Sequence, residues 1–226
     1  MKHYDSIPRI QDDGMLMGED VWAFNKLDGQ NFCVKYNPKK MGFDSFGSRT
    51  RMVDETDDQF GATVSFFKDS PLPDLLRIAV CDNSGKRGVF KGVDEITFFF
   101  EWYGEHSFCG VHDPEDQMHL ALIDVFMKKK GYIEPKPYYE IFCENPCIET
   151  PELIYHGLLN NTFIKEIQEN DWTQPDCKYP TVKEGVVCRR SSIMKGQRMP
   201  KVKFKTKWWI EQLHAKYSED KWKELE

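Results

Sequence analysis

The chain has 226 residues, 40% hydrophobic and 30% charged, with 31 basic against 37 acidic side chains for a formal net charge of −6. That length can bury a full core, and one domain, residues 1–226, or one domain with a small appendage is expected, without a second catalytic domain of ordinary size. No stretch approaches the roughly 18 apolar residues of a membrane helix, and the first six residues lack the apolar run of a signal peptide, so a soluble, cytoplasmic protein is expected.

In chain order, residues 21–24 and 31–36 read as two strands around a loop that carries Lys26, with Phe32, Val34 and Tyr36 alternating toward one face. A loop around Arg49 follows. Residues 57–80 are mixed and largely helical, broken by a turn at Ser70-Pro71-Leu72-Pro73-Asp74. Residues 96–104 form a β-prone aromatic run, and residues 119–127 a second apolar strand. Prolines at 135, 137, 146 and 151 mark residues 134–151 as loop. Thr150-Pro151-Glu152 has a helix-start pattern, so two short helices are expected over 151–159 and 161–170, on either side of Gly157. Residues 182–190 and 201–206 read as strands, and Lys207 onward as an amphipathic helix with Trp209, Leu213 and Tyr217 on one stripe. The order is α+β, with mostly antiparallel sheets and flanking helices.

Seven cysteines, an odd number with no Cys-x-x-Cys pair, argue for reduced thiols rather than a disulfide framework. Cys143 and Cys147, with His156 nearby, are the only zinc-like grouping, and a matching second pair is missing. Charge is unevenly distributed. From Lys178 to Lys207 there are ten basic residues and one acid, Glu184, a net +9 against −15 for the rest. A segment of that kind suits a surface that takes phosphates while the remainder repels nucleic acid, the alternative being a solvated basic face. Arg189, Arg190, Lys195 and Arg198 within it are candidate contacts to a nucleic-acid backbone.

Several chemically capable side chains occur in a fixed order: Lys26-Leu27-Asp28-Gly29-Gln30-Asn31-Phe32, Ser48-Arg49-Thr50, Tyr103-Gly104-Glu105, Leu122-Ile123-Asp124-Val125, Glu184-Gly185-Val186-Val187 and Val202-Lys203-Phe204-Lys205. Taken singly, Lys26 is an ordinary surface lysine and the other charges are ordinary strand charges. Asp124 is harder to set aside, because a carboxylate among Ala121, Leu122, Ile123, Val125 and Phe126 is costly to bury without a partner. Lys203 and Lys205 alternate along one strand and so put two cations on one face. A lysine attacks phosphorus only as the uncharged amine, which nearby cations and desolvation favour.

Together these segments resemble the six collinear motifs of the covalent nucleotidyltransferases, the superfamily of RNA ligases, DNA ligases and mRNA capping enzymes. Within it, Gly29-Gln30-Asn31-Phe32 and Arg49-Thr50 resemble the phage-type, nick-sealing, ATP-dependent RNA ligases. The resemblance implies a nucleotidyltransferase fold, the ATP-grasp-like adenylylation fold of ligases, without the additional OB-fold domain of capping enzymes and most DNA ligases. It implies Lys26 as the adenylated nucleophile, with Asp28 completing its motif and Lys203 and Lys205 holding phosphates. Asn31 would belong to the nucleotide-binding loop, Arg49 would contact ribose or phosphate, Glu105 the ribose, and Asp124 would support the adenine pocket. Ile123 and either Val186 or Val187 would enclose the base. Glu184 would assist a magnesium or manganese ion, with Glu105 as a second metal candidate.

This chain departs from the pattern in having Ile123 where many members carry an aromatic, and Asp28 in the form found in DNA ligases and capping enzymes. Glu101 is the alternative to Glu105. The implied reaction joins 5′-phosphate and 3′-hydroxyl ends through a lysyl-AMP and an adenylylated 5′ end, on RNA, by a monomer. The alternatives are a compact ATP-dependent DNA nick ligase, a GTP-dependent capping guanylyltransferase, and an inactive nucleic-acid-binding module.

Overall fold

A computed structural model describes residues 1–104, 118–192 and 199–219. They form two compact units: Met1–Asp5 with Gly29–Thr150, and Ser6–Asp28 with Pro151–Glu226. Both are built on antiparallel sheet flanked by helices, so the expected α+β class is observed.

In the first unit, strands β2 (Gln30–Asn37), β3 (Gly42–Ser48), β4 (Met52–Val53), β5 (Ile96–Gly104), β6 (Met118–Met127) and β7 (Gly131–Tyr132) make a six-stranded sheet in the order β4-β3-β2-β5-β6-β7. Period-two alternation sorts its side chains. Phe32, Val34 and Tyr36 of β2 stand opposite Phe100, Phe98 and Ile96 of β5, all buried, and Phe67 of helix α1 (Gly61–Asp69) packs on Phe32 and Phe100. The other face carries Asn31 and Cys33 opposite Glu101 and Phe99. Helix α2 (Leu72–Asp82) begins after Pro71, so the Ser-Pro turn divides two helices as expected. Strand β3 had no strong sequence signal, because two glycines, an Asp and two serines dilute its apolar content.

The second unit holds β1 (Asp20–Lys26), β8 (Leu153–Leu158), β9 (Gly185–Arg190) and β10 (Lys201–Lys205), ordered β10-β9-β1-β8. Val21, Ala23, Val186, Cys188, Val202 and Phe204 form one face of this sheet and pack with Phe163, Ile164 and Ile167 of helix α4 (Asn161–Gln168). The Asn160 side chain caps α4 by accepting from the Phe163 N–H at 2.9 Å. Thr206 caps helix α5 (Lys207–Lys216) in the same way, accepting from the Trp209 N–H at 3.1 Å.

Three local expectations are corrected. Residues 151–159 are not a helix; Leu153–Leu158 is the edge strand β8, paired along β1. Pro151 suits an extended start as well as a helical one, and Gly157 at φ 152° has a backbone no helix uses. Residues 134–151 are not all loop, since α3 (Pro135–Tyr138) runs into a π-helical turn, Tyr139–Cys143. Prolines 135 and 137 fall in that helix's first turn, where the missing N–H costs nothing. Helix α5 stops at Lys216, and Tyr217 is extended at φ −122°, ψ 155°, so it leaves the apolar stripe.

Candidate active site

Lys26 is the last residue of β1, and its neighbour across the ladder is Gly185 of β9, which in turn pairs with Lys205 of β10. A Cβ at Gly185 would meet the Phe204 carbonyl oxygen at 2.2 Å, and the residue sits at φ 154°, so this crossing of three strands requires glycine. The side-chain-free position between two lysines is closed from below by Glu184. Its Oε2 accepts from Lys26 Nζ at 2.7 Å, and its Oε1 lies 3.1 Å from Lys205 Nζ. Glu184 is 3% exposed and Lys205 7%.

Burial works to raise the Glu184 carboxyl, but the Lys26 and Lys205 ammonium groups outweigh it and hold the group below its ordinary range. Lys205 is pushed below the usual lysine value, first by burial and then by Lys26, with Glu184 opposing. One carboxylate shared by two ammonium groups leaves a net positive site, suited to phosphate. Trp209 covers it. Its ring lies 3.6 Å from Lys205 Nζ, and its indole Nε1 is 3.5 Å from Asp28 Oδ2. Trp209 carried only a core-stripe signal in the sequence. The turn from β10 into the Thr206-capped α5 is what brings it to the lysines.

Lys203 pairs with Val187, and Val187 with Phe24 two residues before Lys26, so Lys203, Lys205, Val187 and Lys26 share one face of the sheet. Val186 does not. It pairs with Phe204, is fully buried and belongs to the apolar core, so of the two valines the sequence left open Val187 is the one beside the lysines. The basic run is divided by the same alternation. Arg189 lies on the face of Val187 and the lysines, 3% exposed, with its guanidinium 5.1 Å from the Phe24 ring centroid. Arg190, one residue on, belongs to the opposite face and pairs with Glu19 at 2.9 Å. Lys195, Arg198 and Glu105 lie outside the described residues.

In the first unit, Asp124 is fully buried and has the partners its position demands: it accepts from the Tyr4 hydroxyl at 3.3 Å and from the Val125 N–H at 2.9 Å. The Tyr132 hydroxyl close by is raised well above its usual value by burial, then by the Asp124 and Asp5 charges. Ile123 occupies a β-bulge, the residue left over where Phe99 pairs with Asp124 and Phe100 with Leu122. Asn31 stands opposite Glu101, and Glu101 opposite Ala121, on the face that also holds Asp124. The Asn31 Nδ2 donates to the Phe100 carbonyl at 3.2 Å, while its buried Oδ1 meets no donor among the described residues. A buried acceptor left so is costly, and a ligand N–H or O–H would satisfy it. Gly29 is tightly confined, since a Cβ there would meet the Trp102 carbonyl at 2.4 Å. Arg49 is exposed on the tight turn that closes through Ser48 N–H to the Arg51 carbonyl at 2.8 Å.

No cluster of three or more His, Cys, Asp or Glu side chains able to hold a metal occurs among the described residues. Glu184 is the carboxylate of the lysine cluster, and each of its oxygens is already engaged by an ammonium group. The described residues thus offer no protein-only metal cage; Glu184 fits a divalent cation in the manner of magnesium, which takes one or two carboxylates and completes its shell with substrate phosphates and water.

The described residues thus form a protein of mixed helix and antiparallel sheet, with a lysine, a buried glutamate and a second lysine joined at the end of its four-stranded sheet. Residues 19–207 match the family model described as RNA ligase, and the chain belongs to that family. Among solved structures it is similar to RNA ligase from Naegleria gruberi. One is a lysine-to-methionine variant with AMP and Mn, at 15% identity and a TM-score of 0.64, covering 96% of this chain and 59% of that one. Another is an arginine-to-alanine variant with ATP and Mn, at 15% identity and a TM-score of 0.62, covering 95% and 58%. At such identity the likeness speaks for the fold, and the chain spans less than two thirds of the length of these structures. No curated protein gives a significant match.

Proposed function

We propose that the chain is an ATP-dependent RNA ligase with a single nucleotidyltransferase domain, residues 1–226, of the ATP-grasp-like adenylylation type. The observation that carries this is the Lys26–Glu184–Lys205 cluster, with Lys203 on the same sheet face, in a chain of the RNA ligase family. Lys26 Nζ, as the free amine, forms a P–N bond to the α-phosphorus of ATP while the bond to pyrophosphate breaks. The AMP then passes to the oxygen of a 5′-phosphate end, which releases Lys26. A 3′-hydroxyl loses its proton and displaces AMP to close the strand. Lys203 and Lys205 hold the phosphate oxygens throughout, and Trp209 keeps the Lys205 side chain in place and shields it from water. Glu184 would be the residue to reach a magnesium or manganese ion, which would supply charge neutralisation for the departing pyrophosphate.

Asn31, Asp124, Arg49, Ile123 and Val187 are assigned to the nucleotide, with Glu105 or Glu101 at the ribose. Glu101 gains support from sharing a face with Asn31. RNA is the assigned polymer, and the protein acts as a monomer in the cytoplasm; no described helix is long and apolar enough to cross a membrane. The test is incubation with α-labelled ATP or GTP and magnesium, followed by a chase with nicked RNA and nicked DNA duplexes. Acid-stable label from ATP that is discharged into sealed RNA is the expected result. Label from GTP alone, discharge only into DNA, or no label at all would each overturn the reading.

A further inference from the structure

The N-terminal segment adds a strand to the lysine face. The Ile10 N–H donates to the Lys203 carbonyl at 3.0 Å, and the Lys203 N–H donates to the Pro8 carbonyl at 2.9 Å, a parallel bridge that pairs Arg9 with Lys203. Since β10 is otherwise an edge, this bridge covers it. Ile10 is buried in the apolar core with Phe204 and Val202, and one residue earlier the side chain must point the other way, so Arg9 lies on the face of Lys203 and Lys205. A cavity of about 250 Å³ there is lined by Arg9, Lys203, Lys205, Asp12 and Ile210 among others. Asp12 Oδ2 lies 3.4 Å from Arg9 Nε and orients the guanidinium.

We propose that Arg9 is a phosphate-binding residue of this site and that it takes the pyrophosphate end of the nucleotide. This rests on the lysine face being the nucleotide site. Geometry selects the leaving group. Displacement at the α-phosphorus is in line, so pyrophosphate departs on the side away from Lys26. Across the sheet the order is β1, β9, β10 and then the Arg9 segment, each step about 4.8 Å, which puts Arg9 about 14 Å of sheet away from the strand of the nucleophile, beyond Lys203 and Lys205. A guanidinium recognises two phosphate oxygens at once, which a lysine does not. The sequence signal was faint, because a lone arginine far from the basic run acquires meaning only through the strand bridge.

The bridge uses backbone groups alone, so Arg9→Gln and Arg9→Lys keep it. The experiment measures equilibrium binding of inorganic pyrophosphate to the full chain and, separately, sealing of a pre-adenylylated RNA nick, which needs no ATP. Pyrophosphate affinity is expected to fall about tenfold in Arg9→Gln and partly recover in Arg9→Lys, with pre-adenylylated sealing unchanged and the melting temperature held. Unchanged pyrophosphate affinity in Arg9→Gln overturns the proposal, and so does a loss confined to the pre-adenylylated nick, which would assign Arg9 to the strand. Failure of the wild-type chain to form a labelled adduct from ATP would instead sink the ligase reading, and the pyrophosphate measurement would still judge Arg9.

Discussion

The two faces of the four-stranded sheet are one residue apart in sequence and opposite in character. On one, Val21, Ala23, Val186, Cys188, Val202 and Phe204 are buried against α4. On the other lie Phe24, Val187, Lys203, Lys205 and Lys26, the last two holding the Glu184 carboxylate between them. Val186 and Val187 are chemically identical neighbours, yet one packs the core and the other borders the lysines. Strand alternation therefore assigns residues to stability or to chemistry before side-chain identity is considered.

The sharpest break in that comparison is Lys26→Ala, which is expected to abolish ATP-derived, acid-stable label while the thermal melt stays close to wild type, because Lys26 lies at a strand end and is partly exposed. Lys26→Arg should fail equally, since guanidinium stays protonated. Retained label in either variant would exclude Lys26 as the nucleophile.

Glu184→Gln should cost roughly 3–5 kcal/mol, the usual penalty for removing one partner of a buried ion pair, here leaving Lys205 buried beside a neutral amide. The pH dependence has a definite sign. The Glu184 carboxyl is held below its ordinary value of 4.5, so its contribution is complete above that value and is lost as the pH falls through the lower folded value. Lys205 is held below its ordinary 10.5, so its charge opposes folding at neutral pH and stability rises with pH in the window between the folded value and 10.5. Urea unfolding at about pH 7 and about pH 3 should accordingly show a wild-type advantage over Glu184→Gln that shrinks in acid; a constant gap would mean that the carboxylate is not ion-paired.

Adjacent residues on β10 separate the faces by readout. Phe204→Ala should lower stability by about 3 kcal/mol or more, the cost of emptying an aromatic core site. Lys203→Ala should leave the urea midpoint nearly unmoved and slow self-adenylylation tenfold or more, as loss of a charge-assisted contact worth roughly 2–4 kcal/mol would. If both variants lose stability alike, Lys203 belongs to the structure rather than the site.

The smallest contrast is between the two valines. Val186→Ala should destabilise the fold by about 1.5–3 kcal/mol with KM for ATP unchanged, and Val187→Ala should raise KM a few-fold with little loss of stability. The reverse outcome would shift the strand register by one residue.

Much of this was legible in the chain itself. The alternation of Phe32, Val34 and Tyr36, the aromatic β5, the Ser-Pro break between α1 and α2 and the strands carrying Val187 and Lys203 follow from local pattern, and the collinear motifs identified Lys26, Asp124, Glu184, Lys203 and Lys205 as the residues to watch. These are properties of neighbouring residues, and short-range sterics and period determine them. Leu153–Leu158 looked helical because its start signal is local, whereas its strand state depends on the hydrogen-bonding edge of β1, more than a hundred residues earlier. The engagement of Glu184 by two lysines, the choice of Val187 over Val186, the burial of Arg189, the cover of Trp209 and the arrival of Arg9 beside Lys203 were decided only by the tertiary structure. Each depends on which strands lie side by side and in what register, a long-range outcome that no window of sequence contains.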